Sequence, residues 1–162
     1  MKVLGIDPGT ANTGFGVVAT RNGRLVALDG GVVTTSSELP LEQRLLAISK
    51  KIEGLIAEHT PDAVSIEDLY FGKNVGSALA VGHARGVVML AAASAGISCF
   101  SYTPQQIKSA VCGQGRADKE QVTTMVQQLL SLPEPPRPDH AADALAAAIC
   151  HASHAPLLAA SQ

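Results

Sequence analysis

The 162 residues carry 12 basic and 14 acidic side chains, a net charge of −2, and are 46% hydrophobic but only 3% aromatic. That balance excludes a disordered chain, which needs low hydrophobicity and high net charge, and the length suits one domain with an aliphatic, alanine-rich core. No apolar run reads as a membrane span and no signal peptide opens the chain. The three cysteines, Cys99, Cys112 and Cys150, share no CxxC spacing, which fits reduced thiols in a cytoplasmic protein rather than a disulfide framework or zinc site.

Lys2-Val3-Leu4-Gly5-Ile6 is a short apolar run closed by Asp7-Pro8-Gly9-Thr10, which predicts a buried strand and a turn. Residues 14–19 predict a second strand. Asn22-Gly23 is a two-residue hairpin signal, so a third strand starts at Arg24 and continues past Gly30-Gly31 through Val32 and Val33. Leu41, Leu45, Ile48, Ile52, Leu55 and Ile56 recur at helical spacing with charged residues between them, predicting an amphipathic helix over 41–59. Ala63-Val64-Ser65-Ile66 predicts a strand ending in Glu67. An alanine-rich helix over about 74–94 stops at Gly96, and residues 97–102 make the last strand.

Thr103-Pro104 starts a short helix, and Asp118 caps another that runs through Leu130. Pro133, Pro135, Pro136 and Pro138 bar regular structure before Asp139 opens a final alanine-rich helix to about residue 151. Residues 1–155 are expected to form a single domain and 156–162 a frayed tail. The order β-β-β-α-β-α-β-α-α-α predicts an α/β fold, a mixed sheet with helices on its faces. There is no internal repeat.

Asp7 and Glu67 each end an apolar strand. If the two strands are neighbours, both acids sit at the edge where open α/β sheets bind ligands. Two acids there repel each other unless a cation lies between them, and hard divalent cations take such oxygen ligands. Two ordinary strand-end acids facing water explain the pair equally well. His140 and Asp143 stand at i and i+3 in Asp139-His140-Ala141-Ala142-Asp143, on one helix face among alanines that permit close approach to a sheet. Attraction of acids to a helix N-terminus explains Asp139 but not Asp143, a turn further in.

Local charge is less neutral than the whole. From 69 to 117 the chain has four basic residues, Lys73, Arg85, Lys108 and Arg116, and no Asp or Glu, with Lys119 following at once. Such a basic half suits phosphate contact, and scattered surface charge is the plain alternative. His151-x-x-His154 has metal-like spacing but lies near the chain end. Neither a P-loop nor a dinucleotide fingerprint is present. The helix over 77–95, with Gly82 and Gly86, has more apolar surface than one sheet face needs and is expected to form a dimer interface.

Gly5-Ile6-Asp7-Pro8-Gly9-Thr10 with Thr13-Gly14-Phe15-Gly16, Ile66-Glu67, Asn74 with Ser77-Ala78-Leu79, Ala84-Arg85-Gly86-Val87, and His140-Ala141-Ala142-Asp143-Ala144-Leu145 together resemble the bacterial RuvC Holliday-junction resolvase family, in order and with similar spacing from about residue 2 to 149. The resemblance implies a ribonuclease-H-like mixed five-stranded sheet with helices on both faces and a homodimer. It implies an endodeoxyribonuclease that nicks two opposed strands of a four-way DNA junction in homologous recombination and DNA repair, leaving a 5′-phosphate and a 3′-hydroxyl. It carries Asp7, Glu67 and Asp143 over as catalytic metal ligands, with His140 in the remaining acidic position.

The implied cofactor is Mg²⁺, two ions per subunit, with Mn²⁺ able to substitute. Asp7 would be shared between the ions, Glu67 would serve the one that activates water, and His140 and Asp143 the other. An imidazole in place of a carboxylate changes the site's charge by one unit and favours Mn²⁺. Lys108 and Lys119 match positions that contact DNA near the scissile phosphate, and Tyr70 matches an aromatic that stacks on an unpaired junction base. Lys73, Arg85 and Arg116 complete the expected DNA contacts. A branch-migration helicase complex is the implied partner.

Two other readings compete. An actin-like phosphotransferase or ATPase shares the GID-x-GT turn but needs about twice this length. A non-catalytic or RNA-processing relative of the same fold would not need all of Asp7, Glu67, His140 and Asp143.

Overall fold

A computed structural model describes residues 1–68 and 75–160, with side chains described as far as Ala155. Its elements are β1 (Lys2–Asp7), β2 (Asn12–Arg21), β3 (Arg24–Thr34), α1 (Leu41–His59), β4 (Ala63–Glu67), α2 (Val75–Ser94), β5 (Ser98–Tyr102), α3 (Pro104–Cys112), α4 (Lys119–Leu129) and α5 (Asp139–Ala160). This is the expected order. The strands form one sheet, β3-β2-β1-β4-β5. β1, β2 and β3 pair antiparallel through two hairpin connections, and β1, β4 and β5 run parallel. The β2–β3 turn is made by Asn22 and Gly23, both at positive φ (51° and 75°), as a tight hairpin turn requires.

Side-chain alternation along the strands divides the molecule into two cores. On one face Leu4, Ile6, Phe15, Val17, Val64 and Ile66 pack against Ile48, Ile52 and Leu55 of α1 and Ala84 and Val88 of α2. On the other, Val3 and Val18 join Leu145 and the alanines of α5, together with Ile107, Val122 and Val126 from α3 and α4.

The α5 face is cut unusually flat. Gly5, Gly14 and Gly16 lie side by side on it, Gly5 opposite Gly16 and Asp7 opposite Gly14. A Cβ on Gly5 would stand 2.0 Å from the Ala144 carbonyl oxygen, and one on Gly14 would stand 2.0 Å from that of His140. With Ala141, Ala144 and Ala148 on its buried side, α5 therefore rests on the sheet at backbone distance. The buried Ser65 hydroxyl donates to the Ala147 carbonyl at 2.7 Å and fixes the helix along its axis.

Two expectations need correction. α5 does not end near residue 151 but runs to Ala160. The turn after His151 is held in place: the His151 ring lies 4.4 Å from that of Phe100 and hydrogen-bonds the Tyr102 hydroxyl at 2.8 Å, Ser153 Oγ donates to the Ile149 carbonyl, and His154 Nδ1 donates to the Cys150 carbonyl. α2 is also long and apolar enough to cross a membrane by length and composition, although His83 and Arg85 interrupt its apolar runs. Here it lies along the sheet, its buried side made by Ala84, Val88, Ala91 and Ala92.

Candidate active site

β1 and β4 are parallel neighbours in register Ile6 to Ile66, so Asp7 and Glu67 leave the sheet at the same edge. Asp7 has the parity of Gly5, and Glu67 that of Ser65, so both carboxylates face α5. The first turns of α5, seated on Gly14, bring the other two residues to them. His140 Nδ1 lies 2.7 Å from Asp7 Oδ2. Ligand atoms of Asp7, His140 and Asp143 all lie within 4.8 Å of one another. Glu67 stands beside this trio, lining a cavity of about 200 Å³ together with Asp143 and with Pro104, Ile107, Lys108, Lys119 and Val122 from α3 and α4.

The carboxylates are under electrostatic pressure. Burial raises the Asp7 pKa, the hydrogen bond from His140 opposes the rise, and the Asp143 charge adds to it. Glu67 is pushed from 4.5 to about 7, by burial first and then by Asp7 and Asp143, with Lys108 and Lys119 pulling the other way. Lys119 Nζ pairs with Asp143 at 3.4 Å and with Asp139 at 3.3 Å. Burial lowers its pKa, but the two acids outweigh that and hold the ammonium charged. Three carboxylates and an imidazole meet here, and Lys119 offsets only part of the acidic charge. That donor set suits a divalent cation bound through oxygen and one nitrogen.

The model of the family "Crossover junction endodeoxyribonuclease RuvC" matches residues 3–151. The chain belongs to that family. The RuvC proteins of Roseiflexus sp. and Ruminiclostridium cellulolyticum are 52% and 51% identical to it, over 97% and 93% of this chain and 94% and 91% of theirs. The solved structure of Thermus thermophilus RuvC in complex with Holliday junction substrate superposes with a TM-score of 0.93 at 41% identity, over 97% of this chain and 96% of that one. The sheet and its helices are therefore ribonuclease-H-like, as RuvC structures are, and membership places the chain among divalent-metal-dependent nucleases.

Against that RuvC frame the remaining candidate residues separate. Lys108 and Lys119 share the cavity with Glu67 and Asp143. Arg116 is exposed on the loop between α3 and α4. Tyr70 and Lys73 lie outside the described residues. Arg85 does not join the basic surface: its side chain is 15% exposed and turned inward, onto the ends of β4 and β5. His151 Nδ1 bonds the Tyr102 hydroxyl and His154 Nδ1 the Cys150 carbonyl, two separate partners. Sequence reasoning missed Asp139 as a partner of Lys119, although Asp139 and Asp143 at i and i+4 share a helix face. It also missed the seat that Gly5, Gly14 and Gly16 make for α5, which alternate spacing in two paired strands could have signalled.

Proposed function

We propose that the protein resolves four-way DNA junctions by paired, symmetric nicks in homologous recombination and DNA repair. The observation that carries this reading is the meeting of Asp7, His140 and Asp143, with Glu67 beside them, at one sheet edge of a chain that belongs to the RuvC family. The binding of a Holliday junction by the Thermus thermophilus relative supports the choice of substrate.

Asp7, Glu67, His140 and Asp143 would hold two Mg²⁺ ions per subunit, with Mn²⁺ able to replace them. Such ions, when bound, supply an activated water and a stabilised leaving oxygen for phosphodiester hydrolysis. The protein's own part is positional. His140 orients the Asp7 carboxylate through their 2.7 Å hydrogen bond and must be neutral to serve as a ligand. Glu67 and Asp143 share the cavity with Lys108 and Lys119, so a phosphate there meets both acids and ammonium groups. Lys119 would exchange Asp143 and Asp139 for phosphate oxygens and stabilise the charge that develops during cleavage. Arg116 extends this basic wall, and Tyr70 and Lys73 are assigned to the junction by resemblance.

A homodimer matches the two-fold symmetry of the substrate. α2 supports it: Val75, Leu79 and Leu90 are 78%, 62% and 68% exposed on its outer side, and a Cβ on Gly86 would meet open space. A second copy of α2 would cover this face, and the same cover explains a helix so apolar in a DNA-handling protein. The reading also places the protein in the cytoplasm, working with a branch-migration helicase complex.

One assay tests the core of this. The purified chain is incubated with Mg²⁺ or Mn²⁺ and a synthetic four-way junction, a linear duplex or an RNA. Paired nicks on the junction alone are expected. Binding without nicking would favour a non-catalytic relative, and cleavage of RNA an RNA-processing one.

A further inference from the structure

Arg85 is a basic residue within an acid-free stretch, yet its three anchors are all internal. Nη1 donates to the Glu67 carbonyl at 3.0 Å and lies 3.2 Å from Asp68 Oδ1, while Nη2 donates to Ser101 Oγ at 2.5 Å. One planar guanidinium thus ties α2 to the ends of β4 and β5. A planar fork presents its donors in a fixed, spread geometry, whereas a lysine ammonium is a compact point charge that cannot span the same set of acceptors.

The place it grips is mechanically exposed. β4 pairs with β1 only as far as Ile66, one residue short of the Glu67 carboxylate. On the β5 side the last support is the Asp68 amide, which donates to the Tyr102 carbonyl at 2.8 Å. Asp7 and Asp143 both press on the Glu67 carboxylate. Glu67 is paired on the β5 side with Tyr102 but lies beyond the last β1 pair, so its backbone must be held if the carboxylate is to stay opposite Asp7.

We propose that Arg85 is a positioning residue for Glu67: it holds the strand end from behind so that the acidic quartet keeps the shape a divalent cation needs, and it does not contact DNA. This rests on the metal-site reading above and assigns that site a support outside its ligands. Groups that orient ligands in this way typically affect metal affinity or activity by roughly 10–100-fold.

The test compares the intact protein with Arg85→Gln, Arg85→Lys and Ser101→Ala. Mn²⁺ binding is measured by titration calorimetry, junction affinity in the absence of divalent metal, and single-turnover nicking as a function of Mg²⁺ concentration. Arg85→Gln is expected to weaken Mn²⁺ binding about tenfold or more, to leave junction affinity within about twofold, and to slow nicking in a way that added Mg²⁺ partly restores. Arg85→Lys should recover part of the loss. Ser101→Ala, which removes one acceptor and keeps the fold if Arg85→Gln does not, should shift Mn²⁺ affinity in the same direction by less. Unchanged Mn²⁺ affinity in Arg85→Gln, or in Ser101→Ala where Arg85→Gln fails to fold, overturns the proposal. So does a fall in junction affinity without loss of Mn²⁺ binding, which would restore Arg85 as a DNA contact. If the parent protein binds Mn²⁺ but nicks no junction, the functional reading fails while the calorimetry still decides the role of Arg85. If the parent binds no Mn²⁺, both fall.

Discussion

The two faces of the sheet are built to different specifications. The face under α1 and α2 is filled with large aliphatic side chains, Leu4, Ile6, Val17, Val64 and Ile66, and keeps its helices at the usual side-chain distance. The face under α5 presents Gly5, Gly14 and Gly16, and its helix descends to backbone contact. The first arrangement supplies burial and tolerates adjustment. The second sets the distance between strand-end acids and helix-borne ligands, and leaves almost no slack. Both faces bury a core, but only the α5 face also sets the catalytic geometry.

The sharpest way to break this contrast is a single methyl group on the α5 face. Gly14→Ala places a Cβ 2.0 Å from the His140 carbonyl oxygen, and α5 must lift. A displacement of about 1 Å costs on the order of a hundredfold in rate, so junction nicking per folded molecule should fall by at least that much and Mn²⁺ binding should weaken with it. The matched change on the other face is Ile52→Ala. Deleting this fully buried side chain should cost about 2–5 kcal/mol in urea unfolding, while the nicking rate of the folded fraction stays close to that of the parent. A variant of Ile52 that lost activity without losing stability would erase the distinction.

A subtler probe uses pH. Glu67 titrates near 7 in the folded protein against an ordinary 4.5, so between those values the folded chain keeps a proton that the unfolded chain has released. Its contribution to the metal-free protein is therefore fully present below 4.5 and is lost as pH rises through about 7. Burial raises Asp7 in the same direction. Without divalent cation the change in Tm from pH 5 to pH 8 should be more negative in the parent than in Glu67→Gln, buried His151 with its lowered pKa acting in the opposite sense in both, and the Tm gain on adding Mn²⁺ should be larger at pH 8, where the ligands are ionised. The smallest effect is expected of Ser65→Ala. It removes one buried hydrogen bond to the Ala147 carbonyl and should cost about 1 kcal/mol, with a modest loss of nicking because the helix shifts along the sheet rather than away from it.

The sequence exposes the contrast only in part. Element order was readable because each element carries its own local signal: Asn22-Gly23 for the hairpin, the three- and four-residue spacing from Leu41 to Ile56, and the helix starts at Thr103-Pro104 and Asp118, which the structure completes as capping boxes with Gln106 and Gln121. Asp7 and Glu67 stood out because an acid ending an apolar strand is conspicuous. Arg85 was not readable in this way. One of its acceptors is the backbone carbonyl of Glu67, which leaves no mark on composition, and the other two lie on separate strand ends, so a cation among neutral residues looked like a surface contact. The pairing of Lys119 with Asp139 and Asp143 depends on how α4 meets α5, which no local pattern encodes. The full length of α5 was hidden for a similar reason: what supports the turns after residue 151 is Phe100 and Tyr102, far away in the chain.

The central claim is that the glycine face delivers Asp7, His140 and Asp143, with Glu67 alongside, as one cation site. Anomalous diffraction from a crystal of the protein soaked in Mn²⁺ tests it most directly. Manganese density within coordinating distance of Asp7, His140 and Asp143 is the predicted result. A well-ordered crystal whose only manganese lies elsewhere, with these side chains unliganded, would contradict it.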